Sequence, residues 1–243
     1  MQRKISISLD SRLIENIDSL VKQGKTKKRS QVIEQIIKEF FKEQTIKQAV
    51  ILAGGEKPNF NKSDFNQNLR TIINEGVEEI YIITNLNEWD WLKQHQKNVN
   101  LHIIKEKTPL GTAGALKLVE KELSQRFFVI LADISFNIDL HKIIISHIGS
   151  NSTATIGITT TEKRLSTDTI IMEGTKIKKF AYGVPPKEKS FLTNSGVYLL
   201  EKEIFKLIPK KGSLENDVFS KLATRESLNG FLFSGKWRHM GYG

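Results

Sequence analysis

The chain contains no cysteine. That excludes disulfides and thiolate-bound metal, and it fits a cytoplasmic protein. No apolar run is long enough to span a bilayer. The start, Met1-Gln2-Arg3-Lys4, runs into alternating residues rather than the apolar core of a signal peptide. A third scarcity is local. Ala49-Val50-Ile51-Leu52-Ala53-Gly54-Gly55 reads as a buried strand ending in a diglycine, which suits close approach of backbone to a nucleotide. Yet Glu56-Lys57-Pro58-Asn59-Phe60 follows it, with no arginine before Arg70 and no glycine before Gly76. What is plentiful is positive charge. The formal net charge of +10 suits a polyanionic partner such as nucleic acid, a nucleotide or a phosphosugar. A length of 243 residues allows one large domain, or a small one joined to a medium one.

The first 44 residues read as a separate head. Residues 3–9 alternate strictly, with Ile5, Ile7 and Leu9 on one face and Lys4, Ser6 and Ser8 on the other. That pattern predicts a strand with one buried face. Asp10 or Ser11 then caps a helix whose apolar positions are Leu13, Ile14, Ile17, Leu20 and Val21. Gly24 ends it, a basic turn follows over 25–29, and Ser30 caps a second helix bearing Val32, Ile33, Ile36, Ile37 and Phe40. One strand and two helices of this size cannot close a core alone. A homodimer, or a higher even oligomer, in which two such strands pair is therefore expected. The exposed ribbon face would offer Lys4, Ser6 and Ser8 to base edges in a major groove. Lys27, Lys28, Arg29 and Ser30 would meet a phosphate at the second helix. In its order of elements this segment resembles the ribbon-helix-helix DNA-binding family (MetJ/Arc-type). The resemblance implies a dimeric β-α-α head whose partner is double-stranded DNA. The competing reading is a dimer clip that never touches DNA.

A polar link over 45–48 leads into a body over 49–243, where strands alternate with helices. Strands are expected over 49–52, 79–84, 99–104 and 127–131, and helices over 63–75, 88–96, 113–123 and 140–146. That order implies a parallel α/β sheet with ligands at the carboxyl ends of its strands. Beyond 151 the texture is richer in strands, expected over 153–158, 167–173, 176–180, 195–200 and 230–233. Helices are expected there near 201–207 and 214–224. Trp89 and Trp91 fall on different helix faces, at least one of them in the core. His95, His102, His141 and His147 lack metal-ligand spacing and read as surface or capping residues.

Four landmarks stand at predicted strand ends: Leu52-Ala53-Gly54-Gly55, Pro109-Leu110-Gly111-Thr112-Ala113-Gly114, Leu131-Ala132-Asp133 and Asn194-Ser195-Gly196. Further on come Ser213-Leu214-Glu215-Asn216-Asp217 and Gly235-Lys236-Trp237-Arg238-His239-Met240-Gly241. In this order they resemble the sugar-phosphate nucleotidyltransferase family, whose members join a nucleoside triphosphate to a sugar 1-phosphate with Mg²⁺ and release pyrophosphate. The resemblance implies a Rossmann-like mixed α/β (GT-A-like) body. Leu52, Ala53, Gly54 and Gly55 would line the nucleotide, and Gly111 and Thr112 the nucleobase. Asn194, Gly196 and Glu215 would hold sugar hydroxyls, and Asp133 would be the first metal ligand.

Three departures from the family pattern stand out. The loop after Gly55 lacks the family's triphosphate-gripping arginine and its lysine, with Lys57 a doubtful substitute. Tyr182 and Gly183 stand where its Glu-Lys pair would be. His239 replaces the aspartate that would be the second metal ligand. Each such contact is worth on the order of 3 kcal/mol of barrier. The sequence is therefore expected to encode a DNA-binding transcriptional regulator whose pseudoenzyme body binds a nucleotide or nucleotide-sugar effector. The alternatives are an active sugar-1-phosphate nucleotidyltransferase, with Lys57 or Lys236 serving the phosphates and Mg²⁺ on Asp133, or a non-catalytic dimeric scaffold.

Overall fold

The run Gln48–Leu52 forms β1, buried at every position. Alternate side chains serve the two faces of the sheet: Ala49 and Ile51 join one apolar cluster, Val50 and Leu52 the other. A strand buried on both faces has to be apolar throughout, which is why this segment shows no polar alternation. β1 pairs in parallel with β2 (Glu79–Thr84) on one side and β4 (Arg126–Leu131) on the other, and β3 (Asn100–Lys105) extends the parallel set beyond β2. The computed structural model describes residues 6–24, 28–43, 45–55, 60–87, 89–95, 97–160, 168–184 and 191–240. The chain divides into two compact units, 1–45 and 46–243.

In the larger unit the sheet is nine-stranded and mixed, ordered β3-β2-β1-β4-β9-β6-β10-β8-β7. Here β6 is Ala154–Thr160, β7 Thr169–Glu173, β8 Lys176–Ala181, β9 Leu192–Glu201 and β10 Leu228–Leu232. β9 runs antiparallel to both β4 and β6, so the parallel half and the strand-rich half meet along it. Helices α3 (Lys62–Asn74) and α5 (Leu140–Ser150) cover one face with Phe65, Leu69, Ile72, Ile143 and Ile144. Helices α4 (Gly111–Lys117) and α6 (Ser220–Thr224) cover the other with Ala113, Leu116 and Leu222. Helix α3 starts where Asn61 accepts from the backbone N–H groups of Ser63 (2.7 Å) and Asp64 (3.3 Å). A second, two-stranded sheet pairs β5 (Ile134–Phe136) with β11 (Trp237–His239), bringing the C-terminal segment beside the end of β4.

Several expectations need correction. The helix expected over 88–96 is a 3₁₀ turn, Asp90–His95, and the one over 113–123 is shorter, Gly111–Lys117. Trp89 and Trp91 do not diverge; their rings stack at 5.7 Å. His95 and His147 are buried rather than superficial. The His95 Nε2 lies 2.7 Å from Asn66 Oδ1. Burial, and then the charge of Arg70, hold its pKa below the usual histidine value. With the folded-state pKa depressed, the unfolded chain binds the proton more readily. The His95 contribution is therefore full above about pH 6.5 and is lost as pH falls from there through the folded pKa. His95→Gln is expected to flatten the fall in melting temperature between pH 7 and 5.5; identical slopes for wild type and variant would refute the assignment.

The smaller unit consists of α1 (Ser11–Lys22) and α2 (Arg29–Glu43). Asp10 caps α1, accepting from the Arg12 N–H at 2.9 Å. Among the described residues of this unit, Ile17 and Val32 are the buried hydrophobics, while Ile7, Leu13, Ile36 and Ile37 stay exposed. Residues 6–9 carry no strand. Their alternation marks a face, but a strand needs a ladder partner, and none is supplied by the described residues of the same chain. Lys4 and Lys27 lie outside the described residues. Ser6, Ser8, Lys28, Arg29 and Ser30 are exposed. Arg29 is not free for a phosphate: its Nε and Nη2 donate to Asp18 at 2.5 and 2.6 Å, tying α2 to α1. Ser30 does not cap α2, because the helix already begins at Arg29.

Candidate active site

At the carboxyl ends of β1 and β4 the chain leaves a cavity of about 370 Å³. Strand-end loops make this place: backbone that has left the ladder can face a ligand, and the strands fix where it does so. The cavity wall includes Leu52, Ala53, Gly54 and Gly55 from the end of β1, Gly111 and Thr112 from the start of α4, and Asp133 after β4. Glu215 and His239 come from far along the chain to join them, with Phe60 and Tyr182. A smaller adjoining cavity shares Leu131, Tyr182 and His239 and adds Asp168, Asn194, Gly196 and Trp237.

The diglycine loop is pinned from β2. The Ala53 N–H donates to the Ile83 carbonyl at 2.8 Å, Thr84 Oγ1 donates to the Ala53 carbonyl at 3.0 Å, and Asn85 Nδ2 donates to the Gly55 carbonyl at 2.7 Å. Glu106, just past β3, closes the same corner. It is buried, and its Oε2 and Oε1 accept from the N–H groups of Gly55 (3.3 Å) and Leu110 (2.9 Å). Gly54 makes room for it, since a Cβ there would stand 2.1 Å from Glu106 Oε2. Sequence reasoning missed Glu106, which also lines the cavity. The available signal was a lone acid three residues before Pro109 in the Gly-Thr landmark.

Across the cavity a hydrogen-bonded network joins residues from distant segments. Thr112 Oγ1, Ser213 Oγ and the Tyr198 hydroxyl donate to the Glu215 carboxylate at 2.7, 2.6 and 2.8 Å. Asn194 Nδ2 in turn donates to the Tyr198 hydroxyl at 2.8 Å, and the Gly196 N–H to Asn194 Oδ1 at 3.1 Å. Burial, reinforced by the neighbouring Glu215, pushes the Tyr198 phenol well above its usual pKa, so it stays a donor.

Asp133 sits between β4 and β5. Its Oδ2 is 3.3 Å from His239 Nε2, and its buried Oδ1 has no hydrogen-bond partner among the described residues. A buried carboxylate oxygen left unmatched is costly unless something fills the place. No group of three or more His, Asp or Glu able to hold a metal occurs among the described residues. Asp133 is thus suited to give a cation one oxygen, with the remaining ligands coming from elsewhere, as Mg²⁺ bound to phosphates commonly has. Lys57 lies outside the described residues, and Lys236 is exposed ahead of β11.

A family model described as "Nucleotidyl transferase" matches residues 44–242. The mannose-1-phosphate guanyltransferase of Yarrowia lipolytica is 31% identical over 192 residues, which cover 74% of this chain and 53% of that protein. Mannose-1-phosphate guanyltransferase 2 of Candida glabrata is 31% identical over 188 residues, 71% of this chain and 51% of that protein. The chain spans about half the length of the curated relatives it matches. Among solved structures, HddC from Yersinia pseudotuberculosis superposes with a TM-score of 0.66 at 20% identity, covering 81% of this chain and 94% of that one, a likeness of fold.

These findings overturn the expectation of a DNA-binding transcriptional regulator with a pseudoenzyme body. The relatives are named for transferase activity, and the matched region begins only at residue 44. The expectation weighed the lost motif contacts at about 3 kcal/mol each and took their sum, even with imperfect additivity, to silence catalysis. Contacts in a catalytic site act as a unit, so such sums overshoot. It also credited Arg29 to a phosphate, whereas Asp18 occupies its guanidinium. No helix among the described residues is long and apolar enough to cross a membrane.

Proposed function

This chain belongs to the nucleotidyl transferase family, and from that premise we propose that it joins a nucleoside triphosphate to a sugar 1-phosphate, forming a nucleotide-sugar and pyrophosphate. One observation carries the reading. A single cavity gathers the diglycine end of β1, the Gly111-Thr112 segment, Asp133 and Glu215 from widely separated parts of the chain. In the reaction a phosphate oxygen of the sugar 1-phosphate attacks the α-phosphorus. The bond from that phosphorus to the bridging oxygen breaks, and pyrophosphate leaves with the electron pair. Such a transfer depends on positioning and charge neutralisation rather than on a covalent step by the protein.

The backbone of Gly54 and Gly55 would lie along the nucleotide, and Gly111 and Thr112 against its base. Asn194, Gly196 and Glu215 would face the sugar. Asp133, with its unmatched Oδ1, would hold Mg²⁺, which when bound neutralises charge on the phosphates. His239 Nε2 stands 3.3 Å from the other carboxylate oxygen, Oδ2. The names of the relatives at 31% identity favour GTP and mannose 1-phosphate as the first pair to try.

The test is pyrophosphate release by the purified chain, with each common nucleoside triphosphate offered against mannose and glucose 1-phosphates in the presence of Mg²⁺. The nucleotide-sugar is then identified by mass. Turnover with one pair, abolished by a chelator, is expected; no release above the enzyme-free blank with any pair would sink the reading.

The smaller unit supports a homodimer. Its exposed Ile7, Leu13, Ile36 and Ile37 would be covered by the same unit of a second copy. Sedimentation is expected to give twice the chain mass, and Ile36→Glu with Ile37→Glu to give the monomer. A wild-type monomer at micromolar concentration would refute it.

A further inference from the structure

We propose that Asp133 and His239 hold one divalent ion between them, and that the imidazole makes this site prefer a first-row transition ion, such as Mn²⁺, to Mg²⁺. The inference rests on the reading of Asp133 as a cation holder and adds the class of ion. Both side chains line the cavity. His239 Nε2 stands 3.3 Å from Asp133 Oδ2. Ligand bonds of about 2.1 Å set at right angles put their donor atoms about 3 Å apart, so the pair already has the spacing of two neighbouring ligands. The backbone keeps it there. His239 lies opposite Ile134 in the β5–β11 ladder, and the Met240 N–H donates to the Asp133 carbonyl at 2.8 Å. Trp237 Nε1 ties the same strand to the Ser195 carbonyl at 2.9 Å. Successive side chains of a strand point to opposite faces, and here Arg238 pairs with Asp64 at 2.6 Å. The strand thus presents its imidazole to Asp133 and commits its guanidinium elsewhere.

Mg²⁺ is a hard ion that takes oxygen ligands, keeps several waters and gains little from an imidazole. Transition ions accept an imidazole nitrogen, with an affinity that rises along the first row from Mn²⁺ to Cu²⁺. A site made of carboxylates alone would discriminate weakly between Mg²⁺ and Mn²⁺. One oxygen donor beside one nitrogen donor discriminates through the nitrogen. Mg²⁺ at high concentration can still use the Asp133 carboxylate, whose Oδ1 has no hydrogen-bond partner among the described residues. Both ions can therefore serve the phosphates while differing in affinity. A histidine acting only as a hydrogen-bonding clasp on Asp133 would put no nitrogen on the ion and create no preference.

The test uses the full chain and the metals alone, so it does not depend on turnover. Mn²⁺ binding is followed by loss of the electron paramagnetic resonance signal of the free ion, and Mg²⁺ is then titrated in to displace it. Wild type is expected to hold Mn²⁺ about 10-fold or more tightly than Mg²⁺. Pulsed measurements on the bound Mn²⁺ should show coupling to a nitrogen nucleus. His239→Asp is expected to abolish that coupling and bring the two affinities within about 3-fold of each other. Coupling that survives in His239→Asp would belong to another imidazole and overturns the proposal. So does a wild type whose bound Mn²⁺ shows no nitrogen coupling, or that holds Mn²⁺ no more tightly than Mg²⁺, which keeps the proposal testable even if the variant fails to fold. These outcomes leave Asp133 as an oxygen-only cation holder. If neither ion binds at millimolar concentration, the cation role of Asp133 falls and this proposal with it. Pyrophosphate release is measured separately, so the transferase reading stands or falls by its own assay.

Discussion

Asp133→Asn is expected to lower the rate of pyrophosphate release by about 10²- to 10³-fold, with nucleotide affinity in the absence of divalent cation changed by less than about 3-fold. The substitution keeps the shape of the side chain but halves its acceptor capacity and removes its charge. Asp133 lies two residues past the end of β4, whose pairing with β1 and β9 fixes where the carboxylate stands. Its Oδ1 is a buried acceptor without a hydrogen-bond partner among the described residues, and Oδ2 lies 3.3 Å from His239 Nε2. A group of that kind is wasted in a protein that merely holds a nucleotide. Its use would come with the ion that screens the phosphates, so the deficit should fall on turnover rather than on affinity. Steady-state release over a Mg²⁺ series, paired with titration calorimetry in chelator, separates the two. A variant that turns over within about 3-fold of wild type would remove Asp133 from the mechanism.

Gly111→Ala carries the largest expected cost in stability, about 3–4 kcal/mol and a melting temperature lower by about 10 °C. At this residue φ is +75°, a left-handed conformation that side chains resist. A methyl group there would also stand 2.3 Å from the Gly212 carbonyl oxygen and 2.9 Å from its carbon. The neighbouring chain cannot withdraw, because the Gly212 N–H donates to the Leu110 carbonyl at 2.8 Å and the Ala113 N–H to the Gly212 carbonyl at 3.0 Å. Relief would need both segments to part, and with them the Thr112 to Glu215 bond that closes the cavity. Gly149→Ala is the control: it lies in α5 with nothing within 4 Å of an added Cβ. Its melting temperature should hold steady or rise slightly. Equal losses for the two variants by circular dichroism would show that the strain argument is wrong.

The sequence pattern disclosed the parallel half of the sheet because those strands are short apolar runs bounded by polar turns. Glu79–Thr84 forms a strand over the whole expected span. The two-stranded β5–β11 sheet escaped notice because three-residue strands carry no measurable period. Its consequence was large, since it brings His239 to Asp133. The landmarks named most of the cavity wall in advance because they carry glycine or short polar residues at strand ends or helix starts. Glu106 stood outside any such cluster, and only the fold shows that it ties the loop after β1 to its own loop after β3. The strict alternation over residues 3–9 was misleading in a different way. A period of two tells which residues share a face, whereas a ladder also requires a neighbour.

The Glu215 cluster fixes the direction in which protons point along one wall of the cavity. Thr112, Ser213 and Tyr198 each own a single hydroxyl hydrogen, and all are committed to the same carboxylate. Nothing remains on those three oxygens for a ligand except lone pairs, some already taken by Leu214 N–H, Glu215 N–H and Asn194 Nδ2. That wall can receive protons but cannot offer them. A guest seated against it must bring its own hydroxyl hydrogens, as a polyol does and a polyanion does not. The side of the cavity facing Glu215 is thereby closed to phosphate by the orientation of neutral O–H dipoles.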